Sequence, residues 1–400
     1  MNEKLKWVHN QLDKANDGTA LLPYFTLEQV KKVGQFLRTY EQFEKTPLHH
    51  LDSLASWMGV EKILVKDESY RFGLNAFKVL GGVYAIAQYV ANRLQKNIEE
   101  LSFEQLKSSE VKAQVGNLTF ISTTDGNHGR GVAWAARELG YQARIYMPAG
   151  SADERLQHIK KEGAYAEITT MNYDETVRYS SQLAQENGWV LIQDTMWDGY
   201  EEIPLWIMQG YTTLVHEIVE QMQQAPTHVF LQAGVGSFAG AVVAFLQQYY
   251  EQDITFVLVE PHVANCYYES FKAGTEQYVT VGGEMKTIMA GLACGEPNPQ
   301  AWRLLKAHIK ISISCEEEIA ATGMRVLANP LASDSRIIAG ESGAAPFGCF
   351  YELMTNEHYK DLILDLQLDE HARVLFINTE GDTDKKNYHH IVWHGKYANQ

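Results

Sequence analysis

The chain is short of cysteine, of long apolar runs and of positive charge, and each shortage removes a class of function. Its four cysteines, Cys266, Cys294, Cys315 and Cys349, are too few and too scattered for a disulfide framework or a zinc site. They read as buried apolar residues, with a Cys266–Cys294 link under oxidation left open. No stretch approaches the roughly 18 apolar residues of a membrane span, and Met-Asn-Glu-Lys-Leu-Lys-Trp at the start lacks the apolar run of a secretory signal. A cytoplasmic protein without a membrane partner is the expectation. Against 34 lysines and arginines stand 50 aspartates and glutamates, a formal charge of −16. Nucleic acid is therefore not an expected partner, because its binding draws on basic patches. A small phosphate held by backbone amides stays open. His49-His50 and His389-His390 are adjacent pairs whose members point apart, so they read as surface residues and no metal site is expected.

What is present is enough apolar residue, 45% of 400, to fill the cores of two moderate domains or one large one. Residues 1–60 read as loops and short helices, the clearest at 27–40. A strand over 61–67 precedes a helix that runs from Lys78 to about Leu94. Residues 95–117 are charged and polar and read as a surface insertion. Strands then fit 118–123, 143–147, 166–169 and 190–194, and helices fit 129–139, 152–162, 174–187 and 204–224. Further strands at 227–232, 254–260 and 373–378 continue the alternation, which predicts an α/β fold with parallel sheets covered by helices on both faces.

Four stretches carry chemistry. Ser69-Tyr-Arg-Phe-Gly-Leu-Asn-Ala-Phe-Lys-Val-Leu-Gly-Gly82 places Lys78 alone in an uncharged run. Desolvation there lowers a lysine pKa and suits Schiff-base chemistry; the bland reading is a surface lysine on the following helix. Ser122-Thr-Thr-Asp-Gly-Asn-His-Gly129, between strand and helix, makes a nest of backbone amides that suits a carboxylate, or is an ordinary N-cap turn. Gln232-Ala-Gly-Val-Gly-Ser-Phe-Ala-Gly240 is a phosphate-binding turn. Gly234-x-Gly236-x-x-Ala239, with Glu260 at the next strand end, also fits a dinucleotide fingerprint, and the turn alone does not choose between the two. Finally, Thr379-Glu-Gly-Asp-Thr-Asp384 ends a strand, either as a site or as a plain turn.

Taken together, these motifs resemble those of the fold-type II pyridoxal phosphate enzymes, in the same order and across nearly the whole chain. Asn-Ala-Phe-Lys is similar to their cofactor-lysine motif. Thr-Asp-Gly-Asn-His-Gly resembles the diaminopropionate ammonia-lyases, where many serine and threonine dehydratases have serine in place of Asp125. The resemblance implies two open, largely parallel sheets with the cofactor between a large domain (1–87 and 206–400) and a small inserted one (88–205). It implies pyridoxal 5'-phosphate as cofactor, an amino acid as substrate, and a homodimer.

It also implies roles. Lys78 would carry the cofactor, with Phe77 positioning the ring, Asn127 at its 3-oxygen, Gly234, Val235, Gly236, Ser237 and Phe238 as the phosphate cup, and Thr379 at the pyridine nitrogen. Thr123, Thr124, Gly126 and His128 would form the loop for the substrate carboxylate. Lys78 would take the Cα proton of the L substrate and Asp125 that of the D substrate, or Asp125 would bind the second ammonium. Asp194 matches an acidic position suited to that ammonium. Tyr173 is a weaker candidate that reads as helix-start packing, and Glu341 is left outside the catalytic set. The expected reaction is cleavage of 2,3-diaminopropionate to pyruvate and two ammonia; the alternatives are a serine or threonine dehydratase, a nicotinamide-dependent dehydrogenase, and a non-catalytic sensor.

Overall fold

A computed structural model describes residues 4–12, 19–250 and 252–398. In chain order its strands are β1 (Leu5–His9), β2 (Leu48–His50), β3 (Lys62–Asp67), β4 (Thr119–Thr123), β5 (Gln142–Met147), β6 (Tyr165–Ile168), β7 (Val190–Leu191), β8 (His228–Gln232), β9 (Thr255–Pro261), β10 (Ile309–Cys315) and β11 (Arg373–Asn378). One sheet has the order β1-β10-β9-β8-β11-β3-β2 and the other β6-β5-β4-β7. Only the edge strands β1 and β2 run antiparallel to their neighbours; the other pairs are parallel. Parallel strands buried on both faces need crossover helices on each side, and two apolar cores flank the large sheet accordingly.

Three strands went unread in the sequence, β1, β2 and β10, and β1 pairs with β10. In β10 apolar residues alternate with Ser312 and Ser314, both fully buried, so its polar half faces protein rather than water. Residues 95–117 are not a plain surface insertion. They hold the short helices Phe103–Lys107 and Ser109–Val115, and Phe103 is buried against Phe36, Tyr40 and Trp134. His49 is likewise not a surface residue: it pairs in β2 against β3 and puts Nε2 3.5 Å from an Asp67 carboxylate oxygen. The four cysteines are buried and free.

The helix that begins after Lys78, Val79–Arg93, lies between two others, Asn127–Leu139 and Glu202–Gln221. Both contacts depend on missing side chains. A Cβ at Gly131 would come within 2.7 Å of the Val79 Cα, and one at Gly210 within 2.8 Å of the Gly81 Cα. Backbones that approach this closely fix the start of the Lys78 helix to both sheets' helices at once.

Candidate active site

Open α/β sheets bind ligands outside the carboxyl ends of their strands, and here five such ends converge. The chain leaves β3 through a turn in which Phe72, Gly73 and Asn75 have φ of 48°, 68° and 61°. Left-handed backbone is unfavourable for a bulky residue; Phe72 holds it while stacked flat on Trp134, 5.1 Å between centroids and 4° between planes. That turn delivers Lys78. From β4 comes residues 124–128, from just beyond β7 Asp194, from β8 the Gly-rich turn, and from β11 Thr379 and Glu380.

They enclose a narrow cavity of about 50 Å³ that Lys78, Asp194, Asn127, Phe77, Gly234 to Phe238 and Thr379 line, joined by Tyr211, Gln232, Ser342 and Glu380. Lys78 Nζ donates to Asp194 Oδ2 at 2.8 Å. The expected lowering of the Lys78 pKa is corrected by that contact. Burial does pull the ammonium down, but Asp194, Tyr211 and Asp125 together more than offset it, and the net shift is upward. For Asp194 burial would raise the carboxyl, yet the Lys78 ammonium holds it down to about 2. The pair is therefore an ammonium and a carboxylate. The Asp194 carbonyl accepts from the Ser237 hydroxyl at 2.7 Å, and Asn298 Nδ2 donates to that same hydroxyl at 2.8 Å, which ties Asp194 to the cup.

Asp125 stands at the edge of this group. Its Oδ2 lies 3.4 Å from Arg155 Nη1, and its pKa is raised, chiefly by burial, against the pull of Lys78 and Arg155. Arg155 also packs on Gly126, where a Cβ would come within 2.9 Å of the arginine Cδ.

The expected carboxylate loop needs correction at several residues. Thr123 is turned away from the cavity: its hydroxyl donates to the Thr176 carbonyl at 3.0 Å and shares a bond with Ser180, while its N–H donates to Gln193 Oε1. The Thr124 hydroxyl oxygen accepts from the N–H of Gly126 and of Gly129, so it shapes the loop and occupies the Gly126 donor. His128 donates from Nε2 to the Ile192 carbonyl at 2.9 Å and leaves Nδ1 bare, in keeping with a ring held neutral by burial. The N–H groups of Asn127 and His128 precede the first intrahelical bond, from Arg130 to Gly126. They are donors that the helix leaves available.

Asn127 Nδ2 donates to Glu380 Oε2 at 2.6 Å. Glu380, Tyr211, Gln232 and Ser342 were missed from sequence. Glu380 and Gln232 lie inside motifs already singled out, next to Thr379 and at the head of the Gly-rich turn; Tyr211 has no local signal, being one apolar position of a long helix. Tyr173 starts the helix Tyr173–Asn187 as expected, and its hydroxyl accepts from Gln193 Nε2 at 2.9 Å. Glu341 does not line the cavity. It accepts from Asn387 Nδ2 at 2.6 Å, and burial raises its carboxyl to about 7.

The dinucleotide reading of the Gly-rich turn fails at Glu260. That carboxyl is fully buried and accepts the N–H groups of Tyr267 and Tyr268 at 2.9 and 2.7 Å, capping the next helix rather than facing a ribose. The turn itself is built for an anion. Gly236 has φ 90°, and a Cβ there would fall on the Tyr267 hydroxyl, which donates to the Val235 carbonyl at 2.9 Å. The N–H groups of Ser237, Phe238 and Ala239 precede the first bond of the helix Ser237–Tyr249, from Gly240 to Gly236, so they and the helix dipole are available to a phosphate. Two buried polar atoms of cavity-lining residues, the Tyr211 hydroxyl and Gln232 Oε1, have no hydrogen-bond partner among the described residues. A lysine, an anion cup and unpaired polar atoms together fit pyridoxal phosphate.

Comparison with known proteins agrees with that donor set. The family model described as pyridoxal-phosphate dependent enzyme matches residues 40–380. The diaminopropionate ammonia-lyase of Escherichia coli (strain K12) is 52% identical over 381 residues, 94% of either chain. That of Salmonella typhimurium is 47% identical over 404 residues, covering both chains fully. The E. coli diaminopropionate ammonia lyase in complex with an aminoacrylate-PLP azomethine reaction intermediate superimposes with a TM-score of 0.90 at 48% identity, over 99% of this chain and 98% of that one. The chain belongs to the pyridoxal-phosphate dependent enzymes, in the family of the diaminopropionate ammonia-lyases.

Proposed function

We propose that the protein cleaves 2,3-diaminopropionate of either hand, with water, to pyruvate and two ammonia. The observation that carries this reading is the charge around Lys78: Asp194 at 2.8 Å, with Asp125 acting on the same ammonium. Once Lys78 is engaged covalently, its positive charge no longer balances them, and the excess of carboxylate suits a substrate with a second ammonium. A hydroxy amino acid offers no such charge, which disfavours the dehydratase alternative.

When bound, pyridoxal phosphate supplies an electron sink for the pair left at the substrate Cα. Lys78 would hold it, the N–H groups of Ser237 to Ala239 its phosphate, Asn127 its 3-oxygen and Thr379 its ring nitrogen. Lys78, freed when the substrate amine takes its place, removes the Cα proton of the L substrate. Asp125 removes it from the D substrate; its raised pKa makes it a stronger base than an ordinary aspartate. The β-nitrogen leaves as ammonia only if protonated: held as an ammonium it carries that proton already, and the residue that has just taken the Cα proton serves as the acid where the nitrogen is neutral. Asp194 binds the β-ammonium beforehand. The N–H groups of Asn127 and His128 receive the substrate carboxylate. The released enamine hydrolyses to pyruvate and the second ammonia.

The same reading treats residues 88–205 as a small domain inserted into a large one, 1–87 with 206–400, and the enzyme as a cytoplasmic homodimer. Purified protein supplied with cofactor should release two ammonia per pyruvate from D- and L-2,3-diaminopropionate and little from L-serine or L-threonine. Turnover of the hydroxy acids alone would make it a dehydratase instead.

A further inference from the structure

Gln232 has no role in the account so far, yet its hydrogen bonds fix the hydroxyl beside it. It ends β8, is 3% exposed, and spends both amide hydrogens: Nε2 donates to the Ile377 carbonyl at 3.2 Å and to the Thr379 hydroxyl oxygen at 2.8 Å. A carbonyl can only accept, so the contact with Ile377 fixes which end of the amide is nitrogen. It follows that the Thr379 oxygen is an acceptor toward Gln232. Its single hydrogen is then left to point elsewhere, and the cavity that Thr379 and Gln232 both line is the space open to it.

We propose that Gln232 is a positioning residue that holds the Thr379 hydroxyl as a donor into the cavity, so that a cofactor ring nitrogen facing it is kept unprotonated. The inference rests on the pyridoxal phosphate reading of the site. The alternative arrangement, in which Thr379 accepts from a protonated ring nitrogen, gives its oxygen two donors and leaves its own hydrogen buried without an acceptor, which is costly. Donation to a bare nitrogen satisfies both the Thr379 oxygen and its hydrogen. An unprotonated ring is a weak electron sink. The electron pair at Cα is then short-lived, which leaves little time for the base that took the Cα proton to exchange it with solvent. Gln232 thereby limits that exchange without touching substrate.

The test uses holoenzyme whose cofactor carries an isotopic label at the ring nitrogen, observed by nitrogen NMR across the neutral pH range. The wild type should show the unprotonated resonance throughout. In Gln232→Leu, and in Gln232→Met should the first not fold, the resonance should shift toward the protonated position as pH falls. Exchange of the Cα hydrogen with solvent should rise relative to pyruvate formation in the same variants. A protonated nitrogen in the wild type, or a variant resonance identical to the wild type's, would overturn the proposal even if turnover fell. Pyruvate release by the wild type judges the lyase reading separately, because the resonance is recorded without substrate.

Discussion

Two buried clusters of charge, one anchored at Lys66 to Arg71 and one at Lys78, differ in one respect. In the first, Lys66, Glu68, Arg71 and Glu217 are all fully buried, and their charges are saturated. Lys66 donates to Glu217 at 2.7 Å, to Gln221 at 2.8 Å and to the Thr46 carbonyl at 2.8 Å. Arg71 makes paired bonds to both Glu68 and Glu217 and reaches the Glu44 carbonyl. Among the described residues, in the second Lys78 has Asp194, Asp125 has only Arg155 at 3.4 Å, and the neighbouring Tyr211 hydroxyl and Gln232 Oε1 have no partner. Buried polar groups are normally satisfied. The first cluster is a staple that fixes the turn before Lys78 onto the helix Glu202–Gln221, whereas the second has bonding capacity in reserve. Spare capacity, rather than burial or charge, separates these two clusters.

Substitutions can break that contrast, and they are ranked here by effect on turnover. Lys78→Ala should abolish it, and borohydride reduction of the loaded protein should no longer leave cofactor mass on the peptide containing residue 78; retained adduct would mean another lysine carries it. Asp194→Asn should lower kcat/KM for diaminopropionate by about 10- to 100-fold, corresponding to the roughly 1.5–3 kcal/mol of a charged hydrogen bond, while any trace activity on serine changes little. An equal loss on both substrates would make Asp194 a support for Lys78 alone.

Arg71→Met should behave in the opposite way. Leaving Glu68 and Glu217 buried without their partner costs about 3–5 kcal/mol of stability, seen as a lower denaturation midpoint, while the folded fraction keeps its kcat. An Arg71→Met variant whose folded fraction loses kcat as Lys78→Ala does would erase the distinction between the clusters. Glu260→Gln should leave turnover unchanged and alter only the pH dependence of stability. Burial raises the Glu260 carboxyl from its ordinary 4.5 to about 8, so the folded state holds this proton more tightly than the unfolded chain. Its contribution is complete below pH 4.5 and is lost as pH rises through 8. The glutamine variant should lose that part of the decline in denaturation midpoint.

The parts of the site carried by contiguous stretches at strand ends were legible in the sequence: Lys78, the Asp125 loop, the Gly-rich turn and Thr379. Strand and helix alternation likewise predicted parallel sheets, because doubly covered strands must be apolar throughout. What could not be read depends on distant partners. The Lys78 pKa is set by Asp194, 116 residues away, so an uncharged local run pointed the wrong way. Thr123 and Thr124 look alike in sequence, but Thr123 is spent on the helix Tyr173–Asn187 and Thr124 on its own loop. Strand β10 hid because its serines are buried, and Tyr211 because nothing local distinguishes it from core.

The central claim is that two residues on different elements serve the two hands of one substrate. Its most direct test is initial pyruvate release from D- and from L-2,3-diaminopropionate by the wild type and by Asp125→Asn, assayed side by side. Loss of D turnover by about 10²–10⁴-fold, the range for a general base, with L turnover largely kept, is the predicted result. Equal loss on both enantiomers would contradict the division of labour and leave Asp125 as a ligand for the second ammonium.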